Sequence, residues 1–149
     1  MTSNIQISIL LVCYNQEEYI DQCIDGILIQ QVNEPLELIV ADDVSIDSTL
    51  ERIRAKVSQL NFPVNFLPSE ENLGIGKNYY RGVSACKGNF VAFLEGDDYW
   101  TDSLRLQKHI NFLKDNPQCP MSFNPYAIFL QNSKKLIFPK LKGGLNPDF

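Results

Sequence analysis

Short apolar runs alternate along this chain with stretches in which apolar positions recur at helical spacing. Ile5 to Val12 is a continuous run rich in β-branched residues, the pattern of a parallel strand covered on both faces. Asn15 with Glu18 reads as a capping box, and behind it Tyr19, Ile20, Cys23, Ile24, Ile27 and Leu28 mark a first helix. Leu36 to Ala41 predicts a second strand, Asp42 to Asp47 its turn, and Leu50, Ile53 and Val57 the stripe of a second helix. Val64 to Leu67 predicts a third, shorter strand. The loop Asn72 to Asn78, with Gly74 and Gly76, leads into a helix around Tyr79 to Cys86, which Gly88 is placed to end. Phe90 to Leu94 predicts a fourth strand, and Leu104, Lys108 and Phe112 a helix that Asn116-Pro117 stops. Alternation of this kind predicts an α/β fold, a doubly wound and mostly parallel sheet with helices on both faces. Farther on, Met121 to Leu130 and Lys135 to Phe138 can pair as a hairpin around Asn132-Ser133, and Lys140 to Phe149 reads as irregular.

Composition narrows the class. With 149 residues, 44% hydrophobic and 21% charged, the chain suffices for one globular domain with its own core. The net charge of -5, without a basic run, excludes the electrostatic footprint of a nucleic-acid binder. Met1 to Gln6 is polar without Lys or Arg, and Ile7 to Cys13 is too short for a signal-peptide core or a transmembrane segment. The expected location is cytoplasmic, peripheral attachment to the inner face of the membrane included. Cys13, Cys23, Cys86 and Cys119 form no C-x-x-C pair, and His109 stands apart from them, so neither a zinc site nor a disulfide framework is suggested. Cysteines at such positions behave as small buried hydrophobes, and His109 as a helix-surface or packing residue.

Two acidic clusters carry the candidate chemistry. Asp42-Asp43 and Glu95-Gly96-Asp97-Asp98 each follow an apolar run that reads as a buried strand. In an open α/β sheet ligands bind outside the carboxyl ends of the strands, and a divalent cation there needs hard oxygen ligands. Ser45 and Asp47 also suit capping of the next helix, but capping leaves two adjacent, mutually repelling acids unexplained. The glycines of the 72–78 loop alone are equally compatible with turn geometry. Tyr14, Tyr99 and Trp100 read first as packing residues. No Ser or Cys has a histidine base nearby, so nucleophilic catalysis is not suggested.

In order, Ile7 to Asn15, Ile39 to Thr49, Asn72-Leu73-Gly74 and Gly88 to Asp98 resemble the motifs of family 2 glycosyltransferases of the GT-A (Rossmann-like) fold. The resemblance covers roughly residues 1–115, a nucleotide-sugar-binding part, and leaves 116–149 as the start of an acceptor-side part. It implies a UDP-, GDP- or dTDP-sugar lying across the strand ends. Asp43 would hydrogen-bond the nucleobase, with Val12 and Tyr14 lining the base pocket and Asn15, Asp42 and Ser45 completing the first two motifs. Lys77 or Asn78 would reach the donor. Glu95 and Asp97 match the acids of the family's Asp-x-Asp motif around Gly96, which implies a metal site for Mn²⁺ or Mg²⁺ made by Asp97 with Glu95 and Asp98: Asp97 would be the main metal-binding carboxylate, Glu95 would also lie toward the ribose, and Asp98 would support the site.

The implied reaction is inverting transfer to a hydroxyl of a glycan or lipid-linked acceptor, with the general base beyond Phe149. Two positions depart from the pattern: Val44 replaces the second motif's glycine, and Glu95 lengthens the first acid by a methylene. Other classes make different demands. A phosphoacceptor receiver domain needs a lone phosphorylatable Asp and a Lys after the last strand, whereas a truncated module could hold the sugar nucleotide without turnover. Apolar surface left bare by an absent half would favour a homodimer.

Overall fold

The two longest apolar runs become the inner strands of a parallel sheet. In the computed structural model, which describes residues 5–138, β1 (Ile7–Cys13) pairs with β2 (Leu36–Asp42) on one side and with β4 (Phe90–Glu95) on the other. β3 (Val64–Phe66) flanks β2, giving the order β3-β2-β1-β4. Every residue of β1 and β2 is buried. Their polar members, Ser8 and Glu37, satisfy each other: the Ser8 hydroxyl donates to Glu37 Oε1 at 2.6 Å. The Lys87 N–H donates to the same Glu37 oxygen at 2.7 Å, and the Gly88 N–H to Ser8 Oγ at 2.8 Å.

Strand alternation divides the core into two layers. Ile9, Leu11, Leu38 and Val40 face α1 (Ile20–Leu28) and α2 (Thr49–Val57), whereas Leu10, Val12, Ile39 and Ala41 face α3 (Ile75–Ala85). Helices therefore cover both faces. Each fully buried Ile or Leu contributes about 1.5–3 kcal/mol by leaving water. Trp100 packs into the first layer so closely over α1 that a Cβ on Gly26 would lie 2.7 Å from its backbone nitrogen.

Three local expectations change. β4 is not a buried strand: Phe93 is 52% exposed, because among the described residues β4 pairs only with β1 and its outer edge is open. Asn15 does not cap α1, which begins at Ile20 with no side-chain cap at Tyr19. Instead Asn15 takes φ 52°, and its side-chain oxygen accepts the Ile46 N–H from the next loop. Gly88 does not end α3 in the left-handed region. α3 closes at Cys86 in extended geometry, and Gly88 is needed because a Cβ there would lie 2.5 Å from the Ser8 nitrogen.

Residues 5–107 and 108–138 fall into two compact units, with the division inside α4 (Arg105–Asp115). α4 ends where Asn116 donates its N–H and its side-chain amide to the Phe112 carbonyl. In the second unit β5 (Ile128–Leu130) and β6 (Lys135–Ile137) form the expected antiparallel hairpin, with shorter arms. There His109 Nδ1 lies 2.8 Å from Ser122 Oγ and Nε2 3.2 Å from Asn124 Oδ1. The irregular tail expected over Lys140 to Phe149 lies outside the described residues. Among the described residues no helix is long and apolar enough to cross a membrane.

Candidate functional site

The chain leaves β1 toward β2 and β3, then returns on the opposite side to form β4, so the strand order reverses between β1 and β4. Such a switch point leaves a crevice at the carboxyl ends of the strands. Here it encloses about 240 Å³. Val12, Cys13, Tyr14 and Gln16 line it from β1 and its loop, Asp43 from just past β2, and Glu95 from the end of β4. The loop before α3 and its first turns supply Asn72, Gly74, Ile75, Asn78 and Tyr79.

The loop after β2 is consumed by the fold. Asp42 accepts the Ser45 N–H at 3.0 Å and the Ser45 hydroxyl at 2.5 Å, with the Cys13 thiol at 3.6 Å. Ser45 Oγ in turn accepts the Asn15 N–H, Thr49 Oγ1 that of Gln16, and Asp47 Oδ2 that of Glu17. Glu17 answers by accepting the Ser48 N–H. Asp47 Oδ1 also takes the Thr49 N–H at the start of α2, whose N-cap residue is Ser48 without a side-chain capping bond, so neither Ser45 nor Asp47 holds the cap position expected of them. These bonds lock the loops after β1 and β2 together. Asn15, Asp42 and Ser45 are therefore occupied in the frame of the site and do not line the crevice. Within the same turn Val44 holds φ 64°, a conformation costly for a β-branched residue.

Asp43 is 3% exposed and clamps the neighbouring loop. Its two carboxylate oxygens accept the N–H groups of Leu73 and Gly74, each at 2.8 Å, while the Asn72 amide donates to the Asp43 carbonyl. Gly74 takes φ 78°, which its lack of a Cβ allows, and α3 begins at the next residue. Asn78 lines the crevice, but its amide is engaged by Ala41 O at 2.7 Å and by the Arg81 guanidinium at 2.7 Å. Arg81 also donates to the carbonyls of Asp42, at the end of β2, and of Leu67 and Pro68, just past β3. Lys77 is exposed and does not line the crevice.

The loop after β4 is the opposite case. Glu95, Asp97 and Asp98 are all exposed, and only Glu95 has a side-chain partner, the Tyr79 hydroxyl at 2.5 Å, among the described residues. Partial burial, followed by the negative charges of Asp97 and Glu95, raises the carboxyl of Asp98 above the ordinary carboxylate range. Burial and the Glu95 carboxylate likewise push up the Tyr79 phenol. Gly96 is buried beneath this loop, where a Cβ would lie 2.3 Å from Gln16 Oε1 and 2.9 Å from Cys13 Cβ. A side chain at that position would have to displace the Gln16 amide and press on Cys13. Cys13 and Cys23 are buried, and burial raises both thiols far above their ordinary range, so they act as packing groups.

No three acidic, histidine or cysteine side chains converge into a cation cage among the described residues. The donor set still fits a Mg²⁺-like ion, which takes one or two carboxylates and completes its shell with water and phosphate oxygens. Of the expected site residues Val12, Tyr14, Asp43, Asn78 and Glu95 line the crevice and Asn15, Asp42, Ser45, Lys77, Gly96, Asp97 and Asp98 do not, while Cys13, Gln16, Ile75 and Tyr79 line it without having been expected, beside Asn72 and Gly74 of the loop motif. Tyr79 carries only a helix-stripe signal, and its meeting with Glu95 across the crevice has no local trace.

The family model for glycosyl transferase family 2 matches residues 8–135. An uncharacterized protein of Mycobacterium tuberculosis is 37% identical over 130 residues, covering 86% of this chain and 37% of that protein. The amylovoran biosynthesis glycosyltransferase AmsE of Erwinia amylovora is 29% identical over 130 residues, covering 86% of this chain and 48% of its own length. The chain thus spans about a third to a half of the relatives it matches. Among solved structures, S. aureus TarS 1-349 in complex with UDP superposes with a TM-score of 0.66 at 29% identity, over 76% of this chain and 33% of that one. The Pyrobaculum calidifontis mannosyltransferase PcManGT, in complex with GDP-Man and Mn²⁺, gives 0.67 at 21% identity over 77% and 34%, a likeness of fold alone.

Proposed function

The chain belongs to glycosyl transferase family 2 and has its GT-A, Rossmann-like α/β fold, and on that premise we propose that it forms the nucleotide-sugar-binding half of a metal-assisted, inverting glycosyltransferase. One observation carries the reading: the switch-point crevice is walled by Asp43 and Glu95, and the exposed carboxylates of Asp97 and Asp98 stand at the end of the same strand. TarS, at 29% identity, is known in complexes with UDP and with UDP-GlcNAc, which supports a nucleoside-diphosphate sugar as the donor here.

In this reading the nucleobase lies against Val12 and Tyr14, with Asp43 accepting from it through lone pairs that Leu73 and Gly74 leave free. Glu95 faces the ribose. Asp97, with Asp98 beside it, would hold a divalent cation against the diphosphate, where the ion supplies Lewis-acid relief of the charge that builds on the departing phosphate oxygens. The carboxylates and the closed loop before α3 orient the donor so that the acceptor hydroxyl, from a glycan or lipid-linked chain, attacks the anomeric carbon from the opposite face. The general base belongs to the acceptor side. A peripheral place at the inner membrane face, and pairing of two copies, belong to the same reading.

Calorimetric titration of UDP, GDP and dTDP, with Mn²⁺ and then with EDTA, tests it. Binding of one nucleotide that needs the cation, and that weakens by at least about tenfold in Asp97→Ala, is the expected result. Absence of binding by all three refutes the donor site.

A further inference from the structure

Glu95 ends β4 with an exposed carboxylate on a three-torsion side chain, so alone it would sample several positions over the crevice. One contact prevents this. The Tyr79 phenol donates to Glu95 Oε1 at 2.5 Å, and Tyr79 is itself held from two sides. Its ring lies 6.0 Å from that of Phe93, tilted by 44°, and Phe93 shares a strand face with Glu95 by the alternation of β4. Its backbone belongs to the first half of α3, which Asn78 and Arg81 tie to the carbonyls of Ala41 and Asp42. A short acid would not reach across; the extra methylene of Glu95 and the hydroxyl of Tyr79 make one unit.

We propose that Tyr79 is a positioning residue that presets the Glu95 carboxylate to receive the ribose hydroxyls of the bound nucleotide, and so sets a preference for ribo- over 2′-deoxyribonucleoside diphosphates. The inference rests on the donor-site reading above. The phenol uses one lone pair of Oε1, leaving Oε2 and the remaining lone pair for hydroxyl donors. The phenol is a neutral donor and brings no positive charge beside the carboxylate to compensate it, so bonds from the ribose hydroxyls would be charge-assisted. A vicinal diol offers this carboxylate two donors, and a 2′-deoxyribose one. Fixing the carboxylate beforehand removes an ordering cost that binding would otherwise carry.

The test is a calorimetric comparison of UDP with 2′-deoxy-UDP and of GDP with 2′-deoxy-GDP, beside dTDP, on the whole chain. Tyr79→Phe, Glu95→Asp and the double variant are measured with it, and circular dichroism checks that each is folded. The wild-type chain should favour the ribonucleotide by about tenfold or more. Tyr79→Phe should weaken the ribonucleotide about five- to tenfold and its deoxy analogue about twofold or less. In the Glu95→Asp background the same change should add less than about twofold, because the pair is already broken. A ribo-to-deoxy ratio unchanged in folded Tyr79→Phe, an additive double variant, or tight binding of dTDP alone overturns the inference while leaving the donor site standing. Failure of every nucleotide to bind the wild-type chain overturns the donor site and the inference with it.

Discussion

The loops after β2 and β4 are both acidic, and the fold uses them in opposite ways. After β2, Asp42, Asp43 and Asp47 each accept hydrogen bonds that hold backbone, from Ser45, Leu73, Gly74, Glu17 and Thr49, and Asp42 and Asp43 are buried, Asp43 keeping lone pairs toward the crevice it lines. After β4, Asp97 and Asp98 are exposed and take no side-chain partner among the described residues. A carboxylate surrounded by N–H donors holds backbone in place, whereas one facing only other carboxylates accumulates charge that a cation or a sugar nucleotide can relieve. The same residue type therefore builds the frame in one loop and supplies chemistry in the other.

Removing one acid from each loop is the strongest way to break this contrast. Asp43→Ala removes the charged acceptor of the part-buried Leu73 and Gly74 N–H bonds and should lower unfolding free energy by about 2–4 kcal/mol, read from urea denaturation. Asp97→Ala should shift the same curve by no more than about 0.5 kcal/mol. Equal losses in the two variants would mean that the loops do not differ as described. Gly96→Ala probes how the second loop is seated, since its Cβ would press on Gln16 and Cys13. A loss of about 1–3 kcal/mol is expected in the thermal or urea transition, and an unchanged midpoint would show that the loop can shift freely.

Asp47→Ala removes the acceptor for the Glu17 and Thr49 N–H groups and should cost about 1 kcal/mol at neutral pH. Partial desolvation raises the Asp47 carboxyl, but the hydrogen bonds from Thr49 and Glu17 outweigh it and hold the group below its ordinary 3.8. Its contribution is therefore complete above pH 3.8 and fades as pH falls through the lower folded-state value, so the gap between wild type and variant should close in acid. A gap that persists to the lowest pH at which the chain folds would assign the loss to packing. Smallest of all, Val44→Gly should stabilise by roughly 0.5–1 kcal/mol, as relief at φ 64° exceeds the entropy glycine adds to the unfolded chain. A destabilised variant would mean that the valine side chain contributes more by its contacts than the turn loses by strain.

Local pattern carried the strand-helix alternation because burial on both faces selects unbroken β-branched runs, and helical spacing selects stripes. It also placed both acidic clusters at strand ends, since a turn must follow each run, and the ordered motifs from Ile7 to Asp98 carried the family. What the sequence left open was settled by contacts between segments far apart in the chain. Asn15 with Glu18 has the spacing of a cap, yet the cross-loop bond to Ile46 claims its side chain. Gly88 has the look of a helix stop, yet the approach of Ser8 is what demands it. Phe90 to Leu94 has the pattern of a buried strand, but burial depends on what packs beside it, and among the described residues one edge is open. Whether Asp43 or Asp97 bears free charge, and that Tyr79 meets Glu95, depends on which donors the fold brings within 3 Å, and that is a property of tertiary structure alone.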